Sequence, residues 1–203
     1  MLTVEQIQLH FIEELNGGVR RPGMIGGELG LDYLLDRVVY VTETGDRRAW
    51  RKALTDAGAM TSIGVAGVVR LLLPDDGTEA IASVYADYSH LHGWLRLDRT
   101  LNDQEYGEVQ DRLVDFCATD HPEAEVLERF GEPSVRIGGT NPRYPSVFGY
   151  TNPDGPIAWF YLWNGTEAAY EQPVLLAGRC GAPFVDSLRF TPEGRRRRPE
   201  LEF

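Results

Sequence analysis

Residues 157–163 read Ile-Ala-Trp-Phe-Tyr-Leu-Trp, and no other stretch limits the fold as tightly. Successive side chains of a strand point to opposite faces. The run therefore puts Trp159, Tyr161 and Trp163 on one side and Ala158, Phe160 and Leu162 on the other, and both sides are apolar. A sheet holding this strand needs cover on both faces. With helices on one face only, the Trp-Tyr-Trp stripe is left as an exposed aromatic patch that Tyr144, Phe148 and Tyr150 extend; with a helix over it, the stripe is core. The patch reading has a physical attraction, because Trp and Tyr bring large contact area at low entropic cost and keep a hydrogen-bonding tip.

The neighbouring runs "PSVRIGG", "SVFGYT", "VLLAGRC" and "DSLRFTP" are short and separated by Asn-Pro, Asp-Gly and Gly-Ala-Pro punctuation, which predicts an antiparallel meander. The first half has a different period. Apolar residues spaced by three and four predict a helix over 2–15, capped at Thr3 and ended by Asn16-Gly17-Gly18. Further helices are predicted over 27–41 and 46–57, then one starting at Asn102 or Asp103 and one over "HPEAEVLERFG". Between them, "IGVAGVVRLLL" and "AIASVYADY" read as a hairpin across "PDDGTE", with "GWLRLD" as a third strand. The class is α+β, with N-terminal helices packed on a largely antiparallel β-sheet. The chain reads as a single domain over 1–203, with a seam near 123–131 between a helix-rich 1–122 and the meander of 131–203.

The 203 residues carry a net charge of -11, which argues against nucleic acid as a partner, since phosphates demand clustered Lys and Arg. No apolar run approaches the roughly 18–20 residues needed to cross a bilayer, and the start of the chain lacks the pattern of a secretory signal. A cytoplasmic protein with no membrane partner is expected. Cys117 and Cys180 are spaced like neither a metal nor a redox pair, so both are expected as reduced thiols. The terminal "GRRRRPELEF" is flanked by Glu193, Glu200 and Glu202 and reads as a solvated tail.

"RRPGMIGGELGLDYLLDRVV", residues 20–39, crowds glycines ahead of a helix. A dinucleotide loop needs them after a strand and in G-x-G-x-x-G order; here they follow a helix, and no Gly-Lys-Ser/Thr occurs. The stretch reads as a helix-to-helix corner, with Glu28 favourably placed at a positive helix end. It resembles the Arg-Pro-Gly-Met-Tyr-Ile-Gly segment of the ATP-binding subunit of DNA gyrase. Arg37 and Val41 stand where that family has its catalytic Glu and metal-binding Asn, and no Asp-x-Gly-x-Gly follows, so ATPase activity is not expected. The same corner, with "FGEPSVRIGG", "SVFGYT" and "AWFYLW" later, is similar to small bacterial proteins of the immunity type, with actinobacterial proteins as counterparts; it departs from them at Ile25, where an aromatic is usual. That resemblance implies a cytoplasmic protein that blocks a toxin by occluding its site.

Catalytic signatures are weak. No Gly-x-Ser-x-Gly elbow is present, Cys117 lies in a helical pattern, and no catalytic residue is assigned. His90 and His92 in "ADYSHLHGW" could share one face of a strand, but supply two ligands only, with Asp87 turned away, so neither a metal nor a cofactor is expected. Two functions remain. One is a non-catalytic protein-binding protein whose partner is another protein, a basic toxin being the natural match for its charge. The other is a small-molecule-binding domain or enzyme, with the aromatics lining a pocket and Arg136, Asn141 and Arg143 fixing the ligand. A flat exposed aromatic face favours the first, a cavity with converging polar groups the second.

Overall fold

The computed structural model describes residues 3–75, 77–165 and 170–199. Helices come first: α1 (Val4–Arg20), a 3-10 turn (Pro22–Ile25), α2 (Glu28–Val41), α3 (Arg47–Asp56), α4 (Ala66–Val69), α5 (Thr78–Leu91), α6 (Asp103–Phe116) and α7 (Glu123–Phe130). Strands β1 (Val135–Gly138), β2 (Ser146–Tyr150), β3 (Ala158–Trp163) and β4 (Val174–Cys180) follow, then α8 (Phe184–Ser187), β5 (Arg189–Phe190) and α9 (Pro192–Arg197). The strands form one antiparallel sheet in chain order. The class is α+β, as the patterning predicts.

Both faces of the sheet are covered, which answers the demand made by β3. On one side Trp159, Tyr161 and Trp163 join a core with Leu31 and Leu35 of α2 and Ile81, Val84 and Tyr85 of α5. On the other, Phe148, Tyr150, Phe160 and Leu162 pack against Tyr106, Val109 and Leu113 of α6 and Val126 and Phe130 of α7. The first core draws on both sides of the expected seam at 123–131. The outer edge of β4 is taken up as well: Thr191 N donates to Leu176 O at 2.9 Å and Leu175 N to His121 O at 2.8 Å.

Local signals set several helix starts. Thr3 and Gln6 form a reciprocal capping box on α1, Asn102 and Glu105 another on α6, and Asp46 caps α3 through the amides of Arg48 and Ala49. Helix α1 does not stop at Asn16-Gly17-Gly18 but continues to Arg20. The reason lies in packing: a Cβ on Gly18 would come within 2.7 Å of Ile25 and 2.9 Å of Leu34, so the glycine admits the next elements against the helix. The buried Asn16 donates its amide to Ile12 O and Trp94 O, each at 2.7 Å, and ties the helix to the segment after α5. At the corner, Gly26 and Gly27 have φ of 85° and 67°, a conformation that a side chain disfavours, and α2 begins at the next residue.

The expected hairpin is absent. Residues 66–69 form a helical turn, 78–91 form α5, and "GWLRLD" is irregular chain. Helix α5 lies between the sheet and the other helices and buries residues on every side, from Ala80 to Ser89. Such a helix has almost no polar face, so its apolar run carries little 3.6-residue period and mimics a strand.

The arginine run is exposed, as a solvated segment should be, but it is helical and not an irregular tail. Arg195, Arg196 and Arg197 belong to α9, which Thr191 caps, while Glu200 and Glu202 lie outside the described residues. The Glu193 carboxylate accepts from Tyr170, from Arg196 Nε at 2.7 Å and from Arg197 Nε at 2.8 Å. The Tyr170 hydrogen bond, followed by those from the two arginines, lowers its pKa to about 2. A carboxyl depressed in the folded state adds stability above its unfolded pKa and loses it as pH falls towards the folded value. Between about pH 4.5 and 2 the unfolding free energy of the wild type should therefore fall more steeply than that of Glu193→Gln, by up to one proton in the linkage slope. Chemical denaturation across that range measures it; equal slopes would show that the network does not hold Glu193 ionised.

Candidate functional site: an apolar cleft over a buried ion pair

A cleft of about 580 Å³ opens between α3, the second half of α5, the 153–157 loop and the turn from β4 into α8. That size suits a small organic ligand. Leu54, Val84, Leu91, Ile157 and Phe184 supply apolar wall, and Asp87 and Arg179 lie at its base. Asp87 and His90 are three residues apart on α5, which puts both on the helix face that lines the cleft.

The base is a hydrogen-bonded network. Asp87 Oδ1 accepts from Trp159 Nε1 at 2.7 Å, and Oδ2 accepts from Arg179 Nη2. Arg179 Nε donates to the Tyr161 hydroxyl at 2.6 Å, and that hydroxyl lies 3.0 Å from Ser83 Oγ. The Arg179 side chain is 3% exposed and that of Asp87 32%, so the cation is sealed beneath while the carboxylate meets the cleft. Burial opposes the charge on Arg179, but Asp87 and then Tyr161 outweigh it and hold its pKa above the ordinary value. Burial raises the Tyr161 pKa, against the opposing influence of Arg179. His90 Nε2 lies 3.1 Å from Gly155 O, and as a donor there it fastens the 153–157 wall onto α5.

A carboxylate offers about four acceptor positions, and Asp87 spends two of them on the protein. The remainder can take an N–H or O–H donor. Asp154 adds a second carboxylate to the lining.

Of the residues singled out in the sequence, Trp159 and Tyr161 belong to this network, buried under it and not exposed on a flat face. Trp163 is buried at the far end of β3 and donates to Asp75 Oδ2 at 2.6 Å. Phe148 and Tyr150 face the opposite core, with Arg136 stacked 4.4 Å from the Phe148 ring and paired with Glu123 at 3.5 Å. Asn141, Arg143 and Tyr144 sit together in the exposed β1–β2 connection, where Asn141 Oδ1 accepts from Arg143 N at 3.1 Å. The nine therefore fall into separate places, and neither a continuous aromatic patch nor one pocket unites them.

His90 and His92 do not share a face: His92 ends α5 and stacks on Trp94, 4.7 Å between ring centres. Among the described residues no group of three His, Cys, Asp or Glu is placed to hold a metal. Sequence reasoning missed Arg179, although its signal was there, a charged residue inside the apolar strand "VLLAGRC". A buried guanidinium requires an acidic partner.

Fold and site together define a class, an α+β protein with a helix-covered antiparallel meander and an apolar cleft at one end of α5. In comparison with known proteins, the chain matches no family model, no curated protein and no solved structure. No helix among the described residues is long and apolar enough to cross a membrane.

Proposed function

We propose that the chain is a binding protein for a small organic molecule with an apolar body and an amine or similar donor head. One observation carries this reading: an apolar-walled cleft of about 580 Å³ with the partly exposed carboxylate of Asp87 at its base, its counter-ion sealed below. The apolar body is driven into the walls by removal from water, and the head donates to the unspent positions of Asp87. With Asp154 also in the lining, a cation is preferred over an anion.

The test is calorimetric titration with a series of apolar amines and the matched carboxylic acids. Amines should bind saturably and the acids at least about tenfold more weakly, the worth of one charge-assisted hydrogen bond. Ala53 is exposed on α3 and lines the cleft, so Ala53→Trp should fill the space and abolish binding without unfolding the chain. Amines that bind Ala53→Trp as they bind the wild type, or acids that bind equally well, would remove this reading.

The second reading is a partner protein, a basic toxin bound in the manner of an immunity protein. It is favoured by the outer face of α2, where Leu29 and Tyr40 are 83% and 82% exposed and Arg37 stacks 4.1 Å from the Tyr33 ring. Exposed Tyr beside a half-buried Arg on one helix face suits an interface, and the charge of -11 suits a basic partner. Ala53→Trp separates the two readings, since it blocks a ligand in the cleft and leaves the α2 face untouched.

A further inference from the structure

The glycine corner that opens α2 borders a second cleft, of about 650 Å³, whose other walls come from α3, residues 62–64 and the start of α5. Its charged groups are unequally committed. The Glu28 carboxylate accepts from Val65 N at 2.6 Å and from Ala66 N at 2.9 Å, so the fold itself has filled the anion position at the start of α4. Tyr85 donates to the same carboxylate at 3.3 Å. Asp32 accepts from Arg47 Nη2 at 2.6 Å and from Arg51 Nη2, and Asp36 lies 3.1 Å from Arg47 Nε. The carboxylates of the cleft are thus engaged by the protein.

The guanidiniums are not equally spent. Each has five N–H donors, and among the described residues neither Arg47 nor Arg51 has an acceptor for Nη1. Arg51 Nε is buried with no hydrogen-bond partner. One turn apart on α3, the two side chains meet on the two oxygens of Asp32. Each carboxylate is already paired within the fold while Nη1 of both arginines is unspent, and such donors call for a ligand that brings oxygen. Guanidinium forks match the paired oxygens of carboxylate and phosphate.

We propose that this cleft binds a small oxyanion, the phosphate or carboxylate group of a soluble metabolite, on Arg47 and Arg51. Gly26 and Gly27 form part of its rim and present no side chain to an entering group. The site shares no residue with the cleft over Asp87.

Inorganic phosphate and acetate, titrated separately at low and constant ionic strength, test the proposal, with amide chemical shifts as the readout. Saturable shifts are expected at Gly26, Gly27 and Gly64 with at least one of the two. Arg47→Gln and Arg51→Gln should each weaken that binding about tenfold or more. Arg51→Lys, which keeps the charge and loses the fork, should weaken it less than Arg51→Gln. Tighter binding of phosphate assigns a phosphoryl ligand, and equal or tighter binding of acetate a carboxylate; either order supports the site. Arg47 is 60% exposed, so Arg47→Gln keeps the fold and decides the matter even if Arg51→Gln does not. Shifts that never saturate, or wild-type affinity in Arg47→Gln, would overturn the proposal. Ala53→Trp should leave this titration unchanged, so the two clefts stand or fall separately.

Discussion

Replacing Trp159 with alanine should lower the unfolding free energy by about 3–5 kcal/mol, the range for large aromatics removed from a packed core. The side chain is 0% exposed, and α5 covers the face it belongs to. Its loss opens a void between helix and sheet and removes one of the two protein donors to Asp87. Asp87 itself still meets water, so the hydrogen bond is the smaller part of the effect. Tyr144→Ala is the control: its side chain is exposed in the β1–β2 connection, and its stability should stay within about 0.5 kcal/mol of the wild type. Urea unfolding measures both. A loss below about 1 kcal/mol for Trp159→Ala would mean that the stripe is not covered as described.

The second large effect is expected at Arg179. Arg179→Met keeps much of the length and removes the charge. Breaking a buried pair costs about 3–5 kcal/mol when the remaining charge is stranded. Here water reaches the remaining Asp87, so the lower end, about 3 kcal/mol, is expected. The reverse change is worse, because Asp87→Leu strands a guanidinium whose side chain is only 3% exposed. The double variant, which holds no charge at the base of the cleft, should be more stable than Asp87→Leu alone. A thermodynamic cycle over the four proteins isolates the coupling, and additivity of the two changes would show that the pair does not interact.

The strands were easier to read than the helix that covers them. Short apolar runs cut off by Asn-Pro and Gly-Ala-Pro have few ways to fold except as a meander. The five runs correspond to β1 to β5. Caps at Thr3, Asp46 and Asn102 were equally local and equally legible. Helix α5 was not, because burial of every residue from Ala80 to Ser89 except Asp87 leaves almost none of the polar face by which a helix is recognised. That one misreading also hid the cleft. On a strand Asp87 turns away from His90, whereas on a helix the two line one cavity. The stripe of β3 presented two outcomes, cover or patch, and only the placement of α5 chooses between them. Arg179 belongs to the same difficulty, since a pairing across 92 residues leaves no local trace beyond an unexpected charge in an apolar strand.

The margins of the sheet bear on how copies of the chain behave when crowded. A bare strand margin offers a row of unsatisfied main-chain groups on which another polypeptide can register. Here one margin is the four residues of β1 and the other only the two of β5, and beyond β5 the main chain of Thr191 and His121 already engages Leu176 and Leu175. Little ledge is left for a neighbour to extend, so lateral accretion into fibrils finds no template along this flank of the native protein.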